Sequence, residues 1–233
     1  MRTEVGILFI SQIRNLQYEA TRNYRNNNVF GRARPDNGGG KCYTVDSKYI
    51  KEKEFCNLPV YPFENIEDYV DVADTEFVLG IGYSHMNMHR ESKYLECKKR
   101  GLQIHTFISP QATVLTDNIG EGCIIMPGAY IGPYTDIGIG NVIRAKSTLS
   151  HHEKIGNFNW IADGSTFGGG VTMADNCFVG LGSTIRNEII IAEKTFIGAH
   201  SYVSQNTLEE SVMLGVPAKQ REGIKSIDIV SKV

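Results

Sequence analysis

Ile191-Ala192-Glu193-Lys194-Thr195-Phe196-Ile197-Gly198-Ala199-His200-Ser201-Tyr202-Val203 shows the same six-residue phrase twice over: a branched apolar residue, a small one, two variable positions, a small or β-branched one, and a variable one. Stepping back by six from Val203 gives Ile185, Val179, Met173, Phe167, Ile161, Ile155, Leu149, Ile143, Ile137, Ile131, Ile125, Ile119, Thr113 and Phe107. Including Ile191 and Ile197, sixteen of the seventeen stations are apolar. A period of six matches neither the 3.6 of a helix nor the 2 of an alternating strand. It suits a short strand and a corner repeated around a solenoid, with the apolar stations stacked into one continuous column.

Three hexapeptides make one triangular coil, so seventeen give slightly under six coils. At the usual inter-strand spacing the prism would stand roughly 25–30 Å tall. The residue after the station is Gly or Ala ten times in seventeen, and the small residues are expected to let the chain turn. The pattern [LIV]-[GA]-x-x-[STAV]-x resembles that of the hexapeptide-repeat acyltransferases. The resemblance implies a left-handed parallel β-helix, a homotrimer and active sites between adjacent prisms.

The 233 residues allow one large domain or two modest ones, and a net charge of −2 gives no basic footprint for nucleic acid. Five cysteines without CxxC spacing argue against a disulfide framework or a zinc knuckle. Cys123 and Cys177 fall on the small station, where a thiol is a compact apolar filler. The apolar run Val5 to Ile10 is too short for a signal core or a span of about twenty residues, so the expectation is a cytoplasmic protein without a membrane span.

Residues 1–104 differ in kind from residues 105–233. Val5–Ile10 and Glu76–Gly82 read as buried strands, Cys42–Val45 as a second strand and Leu58–Pro62 as extended. Leu16–Arg25 reads as a helix, Asn26–Gly40 as a polar connection and Glu64–Tyr69 as a short helix. A longer helix from about His85 to Arg100 could be capped by Ser84 and stopped at Gly101, with Leu102–Ile108 a strand into the first coil. The alternation predicts a small Rossmann-like α/β domain with a parallel sheet. Its order, and Gly82-Tyr83-Ser84-His85-Met86-Asn87-Met88-His89-Arg90, resemble the amino-terminal domain of the sialic-acid O-acetyltransferase and bacterial sugar N-acetyltransferase group.

That resemblance implies an acceptor site in residues 1–104, with Ser11, Gln12, Arg14, Tyr83 and Asn87 as substrate contacts. Relatives carry a Gly-rich phosphate turn after the first strand; here the stretch is Phe9-Ile10-Ser11-Gln12-Ile13-Arg14, without glycine. A sugar and a nucleotide-sugar acceptor therefore both stay open, as do transfer to an amine and to a hydroxyl.

Leu149-Ser150-His151-His152-Glu153-Lys154-Ile155-Gly156 resembles the family's [VI]-x-H-[DEH]-x-x-I-G, which gives His151 the role of general base. A sugar amine or hydroxyl must lose a proton to attack, whereas the thioester of acetyl-CoA is already activated, so one base suffices. His152 stands where relatives often hold an orienting acid, and the carboxylate is displaced to Glu153 at the small station. A buried carboxylate is costly unless hydrogen bonded, so either Glu153 bonds a histidine or the corner is distorted. Backbone amides of Phe167-Gly168-Gly169-Gly170 are candidate oxyanion donors. By resemblance, Trp160, Gly168, Gly169, Leu181, Ala199 and Lys219 would meet coenzyme A, acetyl-CoA being the co-substrate, with no metal. Lys219 lies in Gly215-Val216-Pro217-Ala218-Lys219, similar to the Gly-x-Pro-Ala-Lys ending of these acyltransferases; it also reads as a capping turn. A γ-type carbonic anhydrase would need histidine spacings that His151, His152 and His200 do not supply. A non-catalytic assembly solenoid is the remaining alternative.

Overall fold

The computed structural model describes residues 7–11, 42–55, 58–73 and 75–230, with the backbone alone for residues 7–11 and Val230. The expected helix Leu16–Arg25, the connection Asn26–Gly40, Gln12 and Arg14 lie outside the described residues. Two compact units are present: one holds residues up to Gly82 together with Tyr94–His105, the other Tyr83–Lys93 and Thr106 onward. The expected boundary near residue 104 is thus joined by a second exchange, since Tyr83–Lys93 goes with the repeat.

In the first unit six strands, β1 (Ile7–Ser11), β2 (Cys42–Val45), β3 (Glu54–Phe55), β4 (Leu58–Pro62), β5 (Glu76–Gly80) and β6 (Gln103–Ile104), form one sheet in the order β3-β4-β2-β1-β5-β6. The sheet is mixed, which corrects the parallel expectation. β1 runs antiparallel to both β2 and β5, while β2–β4 and β5–β6 are parallel. The short helix after β4 is a 3-10 helix over Phe63–Asp68, whose Phe63 and Ile66 are buried with Phe77 and Leu79.

Helix α1 spans Met88–Lys99, three residues later than its expected start. His85, Met86 and Asn87 have φ of 50, 51 and 65° and form a left-handed turn before it. A buried Met86 and the Asn87 amide, which donates to the Cys177 carbonyl at 2.9 Å, hold this costly conformation in place. Gly101, at φ 75°, ends the helix as expected, with the Leu102 N–H returning to the Cys97 carbonyl.

The repeat of the second unit builds a triangular parallel β-helix of two-residue rungs. Between Ile124 and Val203 paired rungs lie eighteen residues apart, as Thr148-Leu149 with Thr166-Phe167. One face stacks rungs from Thr113 to Val203, the second from Asp136 to Ile191, and the third from Phe107 through Val212–Gly215 to Ala218–Gln220. The apolar stations make a single core from Ile125 through Leu149, Phe167 and Ile185 to Met213.

The register slips in the first coil: Ile108 pairs with Ile125 and Val114 with Ile131. Val114, not Thr113, therefore packs on the core, which accounts for the one polar station. The turning device also differs from expectation. Every corner places its third residue after the station in the left-handed region, from Gly128 through Tyr134, Gly140, Lys146, His152, Phe158, Gly164, Gly170, Asn176, Gly182, Glu188 and Lys194 to His200. The glycine right after the station has another function. A Cβ on Gly132 would lie 1.4 Å from the Ser150 carbonyl oxygen, and one on Gly138 2.6 Å from that of Gly156. Those glycines admit the neighbouring coil.

The third face is apolar on its outer side too, with Ile124, Val142, Trp160, Phe178, Phe196 and Val212 in one column. Tyr83 packs on Trp160 and Phe178, at ring centroid distances of 5.2 and 4.7 Å. Fully buried Arg90 donates to the Gly140 and Asn159 carbonyls at 2.9 and 3.2 Å. At the carboxyl end Val212–Gly215 joins the sheet and Ala218–Gln220 folds back antiparallel, with Ala218 on the core. The Gly-x-Pro-Ala-Lys segment is a capping hairpin.

Candidate functional site

The corner between the first and second faces carries the candidate catalytic residues. Four coils stack there, and the second residue after the station is Pro133, His151, Gly169 and Asn187 in turn. His151 is exposed, and its carbonyl accepts from the Gly170 N–H at 2.9 Å. Its ring fills space left by Gly169: a Cβ there would fall 2.3 Å from Cε1, 2.7 Å from Nε2 and 2.9 Å from Nδ1 of His151. A bare backbone under a basic ring is a place where a reacting carbonyl can approach both.

Of the three glycine amides, the Gly168 N–H is bonded to the Ile185 carbonyl and the Gly170 N–H to that of His151. Gly169 N–H has no partner among the described residues.

Glu153 is fully buried at the inner side of the same corner. One carboxylate oxygen accepts from the Thr135 hydroxyl at 2.7 Å, the other from the main-chain N–H of His151 at 3.2 Å. The Glu153 contact is thus to the main chain of His151 and not to its ring. The ring is met by His152 instead, with the two Nδ1 atoms 3.0 Å apart. His152 is exposed and leans on Tyr134, their ring centroids 4.7 Å apart.

The other expected contacts do not gather at this corner. Gly168 lies on it, but Leu181 and Ala199, both exposed, occupy the next corner round the prism, after the third face. Their N–H groups have no partner among the described residues. Lys219 is exposed on the capping hairpin opposite Leu214. Trp160, half-buried, sits on the third face against Tyr83, with the Arg90 and Arg144 guanidinium carbons 5.8 and 5.7 Å from its ring centroid. Tyr83, half-buried, packs there, and Asn87 has no exposed surface. Ser11 ends strand β1.

Sequence reasoning missed Thr135 and Tyr134. They stand eighteen residues before Glu153 and His152, so the coil period itself was the signal. Among the described residues no group of three or more His, Cys, Asp or Glu is placed to hold a metal ion, and no helix is long and apolar enough to cross a membrane.

No family model and no curated protein matches the sequence. Solved structures do match. The acetyltransferase domain of PglB from Neisseria gonorrhoeae FA1090 is 18% identical, with 80% of this chain and 84% of that chain covered and a TM-score of 0.67. The same domain in complex with acetyl coenzyme A gives 18%, 74%, 83% and 0.68. PerB from Caulobacter crescentus, in complex with CoA and GDP-perosamine, is 22% identical over 72% of this chain and 81% of its own, with a TM-score of 0.65. At such identities the likeness is one of fold, and that fold is the left-handed parallel β-helix.

Proposed function

We propose that this chain is an acetyltransferase that moves the acetyl group of acetyl-CoA directly to a sugar amine or hydroxyl in bacterial surface-glycan synthesis, with His151 as general base. The observation that carries the reading is His151 standing on an open corner over Gly169, a bare backbone with an unused N–H. The ligands of the fold neighbours, acetyl coenzyme A in one and CoA with GDP-perosamine in another, favour an amine on a nucleotide-linked sugar.

Such a site would work as follows. His151 Nε2 takes the proton from the acceptor as its nitrogen or oxygen bonds to the thioester carbon. The carbonyl oxygen becomes an oxyanion, and in this reading the Gly169 N–H donates to it. Collapse breaks the carbon–sulfur bond, and the leaving sulfur takes the proton held on His151. The product is an acetamide or ester plus free CoA thiol.

Leu181, Ala199 and Lys219 are the donor contacts in this reading, along with Gly168 and Gly169. Since they lie on two corners of one prism, a homotrimer in which one copy's corner faces the next copy's would unite them. The free N–H groups of Leu181 and Ala199 would then meet the amide-bearing arm of coenzyme A. Residues 1–104, including Ser11, Gln12 and Arg14, are assigned to the acceptor, and the cytoplasm is the compartment where acetyl-CoA and a nucleotide sugar would meet.

The test is free-thiol release from acetyl-CoA against nucleotide-linked amino sugars, sialic acids and free glycans, with native chain and His151→Ala. Turnover with one acceptor, abolished by His151→Ala, supports the assignment. Absence of acetyl-CoA binding, or unchanged turnover in His151→Ala, refutes it.

A further inference from the structure

The two imidazoles at positions 151 and 152 make a contact that ordinary surface histidines do not. Their Nδ1 atoms are 3.0 Å apart, with ring planes at 89° and centroids at 5.2 Å. An Nδ1-to-Nδ1 hydrogen bond needs one ring to carry a proton there and the other to offer a lone pair. His152 is held for this by its left-handed corner, φ 58°, by its N–H on the Pro133 carbonyl at 3.1 Å, and by the ring of Tyr134. The nearby carboxylate is unavailable, because Glu153 is buried and engaged by Thr135 and the His151 main chain.

We propose that His152 is the positioning residue of the site: its unprotonated Nδ1 accepts the Nδ1–H of His151, which leaves the lone pair of His151 on Nε2, beside Gly169. The inference rests on the reading of His151 as the base. A tautomer fixed by the other ring nitrogen is how a histidine's reactive nitrogen is chosen. The opposite arrangement, with His152 donating, would put a proton on His151 Nε2 and leave no base over Gly169.

The pair then handles one proton. When Nε2 takes the acceptor's proton, the imidazolium keeps its Nδ1–H on a neutral partner. The other ionisable groups at this corner are Tyr134 against His152, Glu153 beneath the His151 main chain, and Glu188, whose Cγ is 3.5 Å from where a Gly170 Cβ would lie. Asp136 and Lys154 stand on the adjoining face. All of these are unchanged by substitution at 152. A carboxylate in place of the neutral acceptor would add charge stabilisation to the protonated base and hold its proton more tightly.

The experiment joins pH profiles of kcat for native chain, His152→Asp, His152→Asn and His152→Phe with 15N NMR of histidine-labelled protein in the absence of acyl donor. The spectra should show the Nδ1–H form for His151 and the Nε2–H form for His152. In His152→Asp the acid limb should move up by about 1–2 pH units. His152→Asn, whose amide oxygen can accept the same bond, should keep most of kcat. His152→Phe, which retains the ring on Tyr134, should lose roughly 10–100-fold in kcat with the donor KM unchanged. Melting temperatures near native exclude misfolding. An Nε2–H form at His151, or an acid limb unmoved in His152→Asp, overturns the proposal. Expected tautomers with no turnover by any acceptor would leave the pair standing and overturn the transferase reading instead.

Discussion

Gly169→Ala is a one-carbon change with a calculable consequence. Gly169 is not among the glycines with positive φ, so alanine fits its backbone without strain, and the only obstruction is the His151 ring. The new methyl would start 2.3 Å from Cε1 and 2.7 Å from Nε2. Carbon atoms rest about 3.5 Å apart, so the ring must retreat by about 1 Å. His151 is exposed, so it can do so at little cost to folding. The loss of unfolded-chain freedom on replacing glycine works slightly in favour of stability, by about 0.4–1 kcal/mol. Catalysis is less tolerant: a misplacement of about 1 Å costs on the order of 10²-fold in rate, or roughly 2.7 kcal/mol in the barrier. The assay is thiol release at saturating acetyl-CoA beside a thermal melt. A loss of about 10²-fold in kcat with an unchanged or slightly higher Tm is expected. Full activity in Gly169→Ala would refute the argument that His151 works from directly above this glycine.

Three further outcomes can be checked. Glu153→Ala leaves the His151 N–H and the Thr135 hydroxyl without their buried acceptor and should lower stability by about 1–3 kcal/mol; a denaturant melt reads it, and Glu153→Gln, which keeps one acceptor oxygen, should cost less. Trp160→Ala removes the partner of Tyr83 and should destabilise by about 3–5 kcal/mol while His151, on another corner, keeps its chemistry in the fraction that stays folded. Burial pushes the Cys123 and Cys177 thiols from 9.0 up to about 11 and about 12. Because the folded state holds these protons above the pH at which the unfolded chain releases them, stability is fully present below pH 9 and falls as pH rises from there through the folded values, by about 1.4 kcal/mol per pH unit per thiol. A melt series from pH 8 to pH 11 should show that slope, and Cys177→Ala should reduce it.

The column of branched residues was legible because burial along a solenoid repeats in register with the sequence; Leu149, Ile155 and Ile161 follow one another around a single coil and all face inward. The corner conformation was not legible. Tyr134, Lys146, His152, Phe158 and Glu188 share their left-handed φ with Gly128 and Gly170, so no residue type marks the position. The stacked fold pays for those residues collectively, through the hydrogen bonds that run from each corner to the coil before it. The left-handed turn at His85–Asn87 was hidden for a related reason: it is held by the Cys177 carbonyl, ninety residues away in sequence. At the site, His151 and Gly169 were each visible, but their eighteen-residue separation had no meaning until the coil length was fixed by strand register. Trp160 belongs to the outward apolar column of the third face, with Val142, Phe178 and Phe196, which only the strand register brings together.

That separation of columns explains how a repetitive scaffold supports one specific chemistry. From Ile139 to Ala199 the second residue after each station leaves its N–H outside the backbone ladder, so the fold offers a series of equivalent amides. Most are made useless for catalysis by what stands on them. Asn157 and Asp175 fill one corner, the Asn157 oxygen taking the Ile139 N–H and the Asp175 carboxylate taking the Asn157 N–H, and Pro133 has no N–H to offer. The amides of Leu181 and Ala199 are open but have no base over them. In the column of His151 and Gly169 a basic ring overhangs a glycine whose amide has no partner among the described residues, because one coil supplies a large side chain where the next supplies none. The specificity of the site therefore lies in a pair of residues one coil apart. Moving the histidine by one coil, as in His151→Gly with Gly169→His, would place the ring over Asn187, whose side chain and Cβ deny the approach that Gly169 allows; that double variant should be inactive while keeping the melting profile of the prism.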